Sequence, residues 1–133
     1  MATVAVAATV PTSATTARQG VSNAKIHASV AARIDTLSGV HLHLHHVLNC
    51  LVGPHGKLYS AKAEALSAYH CDQIPDGAAD DPHASAKVRK LANAAVHEAL
   101  AGIHAENVQA GHRDATHVIQ TLDAIERAWP AKS

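Results

Sequence analysis

The sequence predicts an all-α protein, an antiparallel up-down helical bundle with three long helices and a weak fourth helix in a long connection. Three observations support this prediction. The 133 residues are rich in alanine and include no phenylalanine, so the core must be built from small aliphatic side chains, which favours closely packed helices over a β-sandwich. Apolar residues recur at helical spacing, and no competing strand pattern is present. The length suits one domain.

The chain begins with a segment, residues 1–21, that has no usable periodicity and contains Pro11, so we expect a flexible leader. Its small and apolar residues resemble the tail of an export signal, although a basic start is lacking. This favours a periplasmic or secreted protein, with a cytoplasmic one as the alternative. Residues 22–130 are expected to form one helical-bundle domain and residues 131–133 a tail. No later stretch reaches the roughly 18 apolar residues of a membrane span.

The first long helix is expected from Ser22 or Asn23, either of which is a good N-cap, to about Val52. A heptad seam runs through it without a break, with a and d positions at His27, Val30, Ile34, Leu37, His41, Leu44, Leu48 and Leu51. Gly39 lies inside this run and permits a small bend. Gly53 should cap the end of the helix, and Pro54 prevents its continuation.

The connection that follows, residues 57–82, could contain a short helix behind Ser60 and is otherwise loop by composition. A link of this length is uncommon in a compact domain unless it is anchored. We therefore expect a disulfide between Cys50 and Cys71, which would contribute about 3 kcal/mol on the chain-entropy model. The alternatives are two free thiols, or a Cys2His2 metal set completed by His46 and His70.

Two further helices follow. Asp81 as N-cap and Pro82 at the first position predict a helix that runs to about Val108 or Gln109. Its expected buried face is Val88, Ala92, Ala95, Val96, Ala99 and Ile103. After a turn at residues 110–112, the last helix should end at Pro130 and bury Ala115, Val118, Ile119, Leu122, Ile125 and Trp129.

Charge and histidine content narrow the function. Eleven basic and eleven acidic residues leave no net charge, which argues against nucleic-acid binding. The twelve histidines would take up protons below about pH 6.5, so acid should change the behaviour of the protein.

The stretch "GVHLHLHHVLNCLVG", residues 39–53, carries the main candidate metal ligands. His41 and His45 are four residues apart, a spacing by which two imidazoles can hold one metal ion, and His41 occupies a seam position. The alternative is that His41, like His27, is a core-edge histidine hydrogen-bonded to a neighbouring group. The same heptad places His43, His46 and Cys50 on the outer face.

A second candidate pair, His97 and His104, shares the polar face of the next helix. These two residues are either solvated or part of a site shared with a second copy of the chain, which could bind Zn²⁺, Ni²⁺ or Cu²⁺ across a dimer. Haem is less favoured, because there is no CxxCH motif and aromatic residues are scarce. A di-iron bundle would need two Glu-x-x-His motifs, whereas the candidate pair Asp114 and His117 has aspartate in place of glutamate.

The sequence holds no Gly-rich phosphate loop, HExxH or GxSxG, so we do not expect an enzyme. The leading hypothesis is a small helical bundle that binds a divalent transition metal through helix-borne histidines, as a carrier, buffer or sensor. The alternative is a dimerising interaction module without metal, in which the histidines respond to pH.

Overall fold

The computed structural model describes residues 13–74 and 76–129, and this part of the chain is all α-helical without any strand. The all-α prediction is confirmed. Within the described residues there are five helices, α1 (Ser13–Ala31), α2 (Leu37–Val52), α3 (Ala61–Glu64), α4 (Ala86–Ile103) and α5 (Val108–Ala128).

The long helix expected from residue 22 to residue 52 is in fact two helices, so that prediction is wrong. α1 ends at Ala31, and Thr36 caps α2 by accepting a hydrogen bond from the Gly39 backbone N–H at 3.2 Å. The Thr36 side chain satisfies a backbone N–H that has no partner within the helix. A new helix can therefore start here although no glycine or proline interrupts the sequence. The ring Nε2 of His112 donates to the Ile34 carbonyl at 2.8 Å and holds the turn against α5.

The start of α1 also differs from expectation. Residues 13–21 are helical and form the first part of α1, nine residues before the expected start of the helix. Ala17 and Val21 are almost fully buried, and α1 packs against both α2 and α5. This tertiary packing stabilises a segment whose local sequence gives only a weak helical signal. The rest of the expected leader, residues 1–12, lies outside the described residues.

The connection after α2 begins as expected at Gly53, which has φ 73° and donates its backbone N–H to the Asn49 carbonyl. The short helix behind Ser60 is confirmed as the single turn α3, with the Ser60 hydroxyl accepting from the Ala63 N–H at 3.1 Å. Further along, the Ala79 N–H donates to the Leu51 carbonyl at 3.1 Å, so the connection lies against the end of α2.

The next two helices have the expected faces but different ends. α4 is capped by Ser85 and not by Asp81, because the Ser85 hydroxyl accepts from the Val88 N–H at 3.1 Å. The turn between α4 and α5 lies at residues 104–107 and not at 110–112, because the Asn107 side chain caps α5. The helix-forming residues after this cap continue through Gly111 without a break.

In α4 and α5 the core lies on the faces that helical periodicity predicted, whereas the seam positions Val30, Ile34 and Leu37 of the expected first helix are only partly buried. The expected faces of α4 and α5 are buried, apart from Ile103 and Ile119, which are partly buried. α2 contacts all four other helices, whereas α1 and α4 each contact α2 and α5. This central position explains why α2 is buried on all sides from His46 to Val52.

Candidate metal centre

Three histidines from two helices meet beside the connection. His27 comes from α1, and His43 and His46 come from successive turns of α2. One ring nitrogen from each residue lies within 4.8 Å of the others. The ring centroids of His27 and His46 are 4.5 Å apart, and those of His43 and His46 are 5.4 Å apart. His27 and His46 are buried and His43 is half-buried, so the cluster belongs to the core.

Main-chain carbonyls fix the protonation of two of these rings. Nε2 of His46 lies 2.7 Å from the Ala63 carbonyl oxygen, and Nε2 of His27 lies 3.2 Å from that of Tyr69. A carbonyl oxygen only accepts, so each Nε2 carries the proton and the lone pair of the neutral ring lies on Nδ1. Nδ1 of His27 faces Nδ1 of His43 at 3.4 Å. Nδ1 of His46 is buried and has no hydrogen-bond partner among the described residues.

The loop after α3 supports His27. The Ser67 hydroxyl lies 3.2 Å from Nε2 of His27 and donates to the Tyr69 carbonyl at 3.0 Å. The Tyr69 N–H in turn donates to the Ser67 oxygen at 3.2 Å. These bonds orient the His27 ring from outside the cluster, as groups around metal-binding histidines commonly do.

A buried carboxylate holds this loop in place. Glu64 accepts hydrogen bonds from the backbone N–H groups of Cys71 and Asp72 and from the Asn49 side chain. Asn49 also exchanges two hydrogen bonds with the backbone of Ser60. The negative charge of Glu64 lies close enough to raise the pKa of both His27 and His46, although burial has the larger, opposite effect.

The sulfur atoms of Cys50 and Cys71 are at disulfide distance, 2.04 Å, as the sequence analysis expected. Both residues are buried. The bond joins the last turns of α2 to the loop that carries Tyr69, and Asn23 on α1 contacts both the Cys71 sulfur and the His70 carbonyl. The alternative Cys2His2 set is therefore not formed.

Burial keeps the cluster neutral near pH 7. Burial lowers the pKa of His27 to about 4, against the opposing effect of its hydrogen bond to the Tyr69 carbonyl, and the charges of His46 and His43 add to the lowering. The pKa of His46 and that of His43 are also lowered, mainly by burial. Neutral imidazoles with free lone pairs are the form that binds metal. This group of three histidines can therefore hold a metal ion.

A second group of possible ligands, Glu64, His70 and Asp72, also lies within 4.8 Å. His70 and Asp72 are exposed, and the Glu64 oxygens already accept hydrogen bonds from main chain and Asn49. This group offers fewer free lone pairs than the histidine cluster.

The residues singled out from sequence lie elsewhere. Nε2 of His41 donates to the Ala105 carbonyl at 3.1 Å, and His45 is half-buried beside it. His97 and His104 are exposed, so a site shared between two copies stays a prediction. The expectation that His46 and Cys50 lie on an outer face is wrong, because α2 is covered on that side by α1 and the connection.

The cluster of His27, His43 and His46 was not predicted from the sequence, although the sequence contains one signal for it. His46 precedes Cys50 by one helical turn, so a buried disulfide at Cys50 implies that His46 faces the same interior.

Among the described residues, no helix combines the length and the apolar character that crossing a membrane requires. In comparisons with known proteins, no protein-family model matches the chain, and no curated protein or solved structure matches it significantly.

Proposed function

We propose that this protein binds a divalent transition metal through His27, His43 and His46. The observation that carries the proposal is the pair of carbonyl bonds that hold the Nε2 protons of His27 and His46, because they leave both Nδ1 lone pairs inside a buried cluster. Without a metal, Nδ1 of His46 is a buried acceptor with no partner in the described part of the chain, which is unfavourable by roughly 1 to 3 kcal/mol.

Three imidazoles suit Zn²⁺, Cu²⁺ and Ni²⁺, and these are the metals we propose. Three protein ligands leave at least one coordination position for water or an incoming ligand. A site with an open coordination position can release its metal. It is therefore more typical of a carrier, buffer or sensor than of a structural site, in which all positions are closed.

We further propose that the protein works in an oxidising compartment, such as the periplasm or the extracellular space. The disulfide between Cys50 and Cys71 supports this, since such bonds persist where thiols are not kept reduced. The bundle would have an up-down topology, which is favoured by the short connections at residues 32–36 and 104–107.

Calorimetric titration of tag-free protein with Zn²⁺, Cu²⁺ and Ni²⁺ tests the metal proposal. The double variant His43→Ala, His46→Gln should lose the tightest binding event, since the glutamine amide can still donate to the Ala63 carbonyl but offers no imidazole lone pair. The matched control is His55→Ala, His83→Ala, which also removes two histidines, both exposed. Equal tight binding by the cluster variant and the wild type would refute the proposal.

A second candidate function is the pH-responsive interaction module, which the exposed histidines, among them His97 and His104, favour. In it, the protein forms a dimer whose stability changes as the histidines take up protons. Sedimentation at pH 7.5 and 5.5, with and without EDTA, separates the two. A dimer that responds to pH and is indifferent to the chelator supports this candidate, whereas a chelator-sensitive dimer counts against it.

A further inference from the structure

A second set of histidines lies on the other side of α2 from the cluster described above. His41 and His45 are separated from His43 and His46 by about 100° to 160° around the helix, since each residue advances by about 100°. They face the end of α4, where His104 is the C-terminal cap. We propose that His41, His45 and His104 form a second site for a divalent transition metal, independent of the first.

His41 is already oriented for such a role. Its Nε2 donates to the Ala105 carbonyl at 3.1 Å, so the proton is on Nε2 and the lone pair on Nδ1. The residue that supplies this carbonyl is the neighbour of His104. The same contact that orients the His41 ring therefore brings the backbone of His104 next to it.

His45 supplies the second observation. Its Nδ1 is fully buried and has no hydrogen-bond partner within the described residues, although the rest of the side chain is partly exposed. A buried nitrogen without a partner, beside other imidazoles, is explained by a ligand that accepts its lone pair.

The packing of α4 on α2 makes this juxtaposition possible. A Cβ on Gly102 would collide with the Leu44 side chain, so the end of α4 approaches α2 more closely than any larger residue would allow. Leu44 lies between His41 and His45 along α2. The ring nitrogens of this trio are not all within 4.8 Å of one another, so His104, which is exposed, would turn inward to complete the site.

The partly exposed position of this second site predicts weaker binding and faster exchange than in the buried cluster. It would bind Ni²⁺ or Cu²⁺ through imidazole nitrogens, with water in the remaining positions. Two sites of unequal affinity on opposite sides of one helix would allow metal to be taken up at the surface site separately from the buried one.

Native mass spectrometry and Ni²⁺ calorimetry of the full chain test this inference. We expect the wild type to bind two equivalents of Ni²⁺. The double variant His41→Ala, His104→Ala should lose the weaker equivalent, and the control double variant His55→Ala, His83→Ala should keep both. The variant His43→Ala, His46→Gln should keep the weaker event, so failure of the first site can be distinguished from failure of the second.

Because His41 is half-buried, the single variant His104→Ala provides a test that does not depend on core packing. It removes an exposed side chain and should lower the affinity of the weaker Ni²⁺ site at least about tenfold. The inference is overturned if the variant His43→Ala, His46→Gln binds no Ni²⁺, or if Ni²⁺ binding is unchanged in both variants that lack His104.

Discussion

Acid should destabilise this protein through His27 in particular. The His27 ring has a pKa of about 4 in the folded protein, against 6.5 for an ordinary histidine, because it is buried beside His43 and His46. Between these two values the unfolded chain takes up a proton that the folded protein does not. The contribution of His27 to stability is therefore fully present above pH 6.5 and is lost as the pH falls towards 4.

The size of the effect follows from the two pKa values. Linkage gives a loss of about 2 to 3 kcal/mol from His27 alone when the pH falls from 7 to 4.5. A small domain has a total stability of about 5 to 15 kcal/mol, so this loss is readily measured. The lowered pKa values of His43, His45 and His46 act in the same direction.

Urea unfolding followed by circular dichroism at pH 7 and pH 4.5, with EDTA present, measures this loss. In His27→Gln, the drop in unfolding free energy between the two pH values should be smaller than in the wild type by about 2 to 3 kcal/mol. The comparison uses each protein's own value at pH 7, so any packing defect of the variant cancels. His55→Gln, which changes an exposed histidine, is the control. If His27→Gln is as acid-sensitive as the wild type, the assigned role of burial is wrong.

Three further predictions concern stability. Replacing Cys50 and Cys71 by serine should lower the free energy of unfolding by about 3 kcal/mol and weaken metal binding, because the loop that orients His27 is released. Calorimetric unfolding and metal titration of the same sample measure the two effects. Unchanged metal affinity would contradict the coupling between the disulfide and the histidine cluster. Gly77→Ala should lower the free energy of unfolding, measured in urea, by about 1 to 3 kcal/mol, since the added Cβ would meet main-chain atoms of α2. An unchanged free energy of unfolding would show that this contact is not tight. Leu122→Ala should cost about 2 to 5 kcal/mol by the same assay, whereas Leu58→Ala, at a side chain that is 41% exposed, should change stability by less than about 0.5 kcal/mol; similar losses in both would contradict the assigned core.

The sequence predicted correctly those features that depend on one helix face or on the length of a connection. The buried sides of α4 and α5 followed from helical periodicity, and the partnership of Cys50 with Cys71 followed from the need to anchor a long connection. Both inferences use only local spacing or chain length. Neither requires knowledge of which helices pack together.

The histidine cluster could not be found in this way, because it depends on a chain reversal that the sequence marks weakly. In one continuous helix, His27 and His43 would lie about 24 Å apart. The Thr36 cap ends that continuity and lets α2 pack against α1. A heptad pattern also describes a helix with one buried side, whereas α2 contacts four other helices and has no outer face at His46.

The absence of phenylalanine from the chain has a consequence for how this protein can change. Between α1 and α2, the ring-shaped side chains that fill the interior are the imidazoles of His27 and His46. The same atoms therefore provide both the packing volume and the candidate metal ligands. An apolar residue of similar shape at His27 or His46 would preserve the packing but remove a metal ligand. A smaller polar residue would leave a cavity. Few substitutions at these two positions are therefore compatible with both roles.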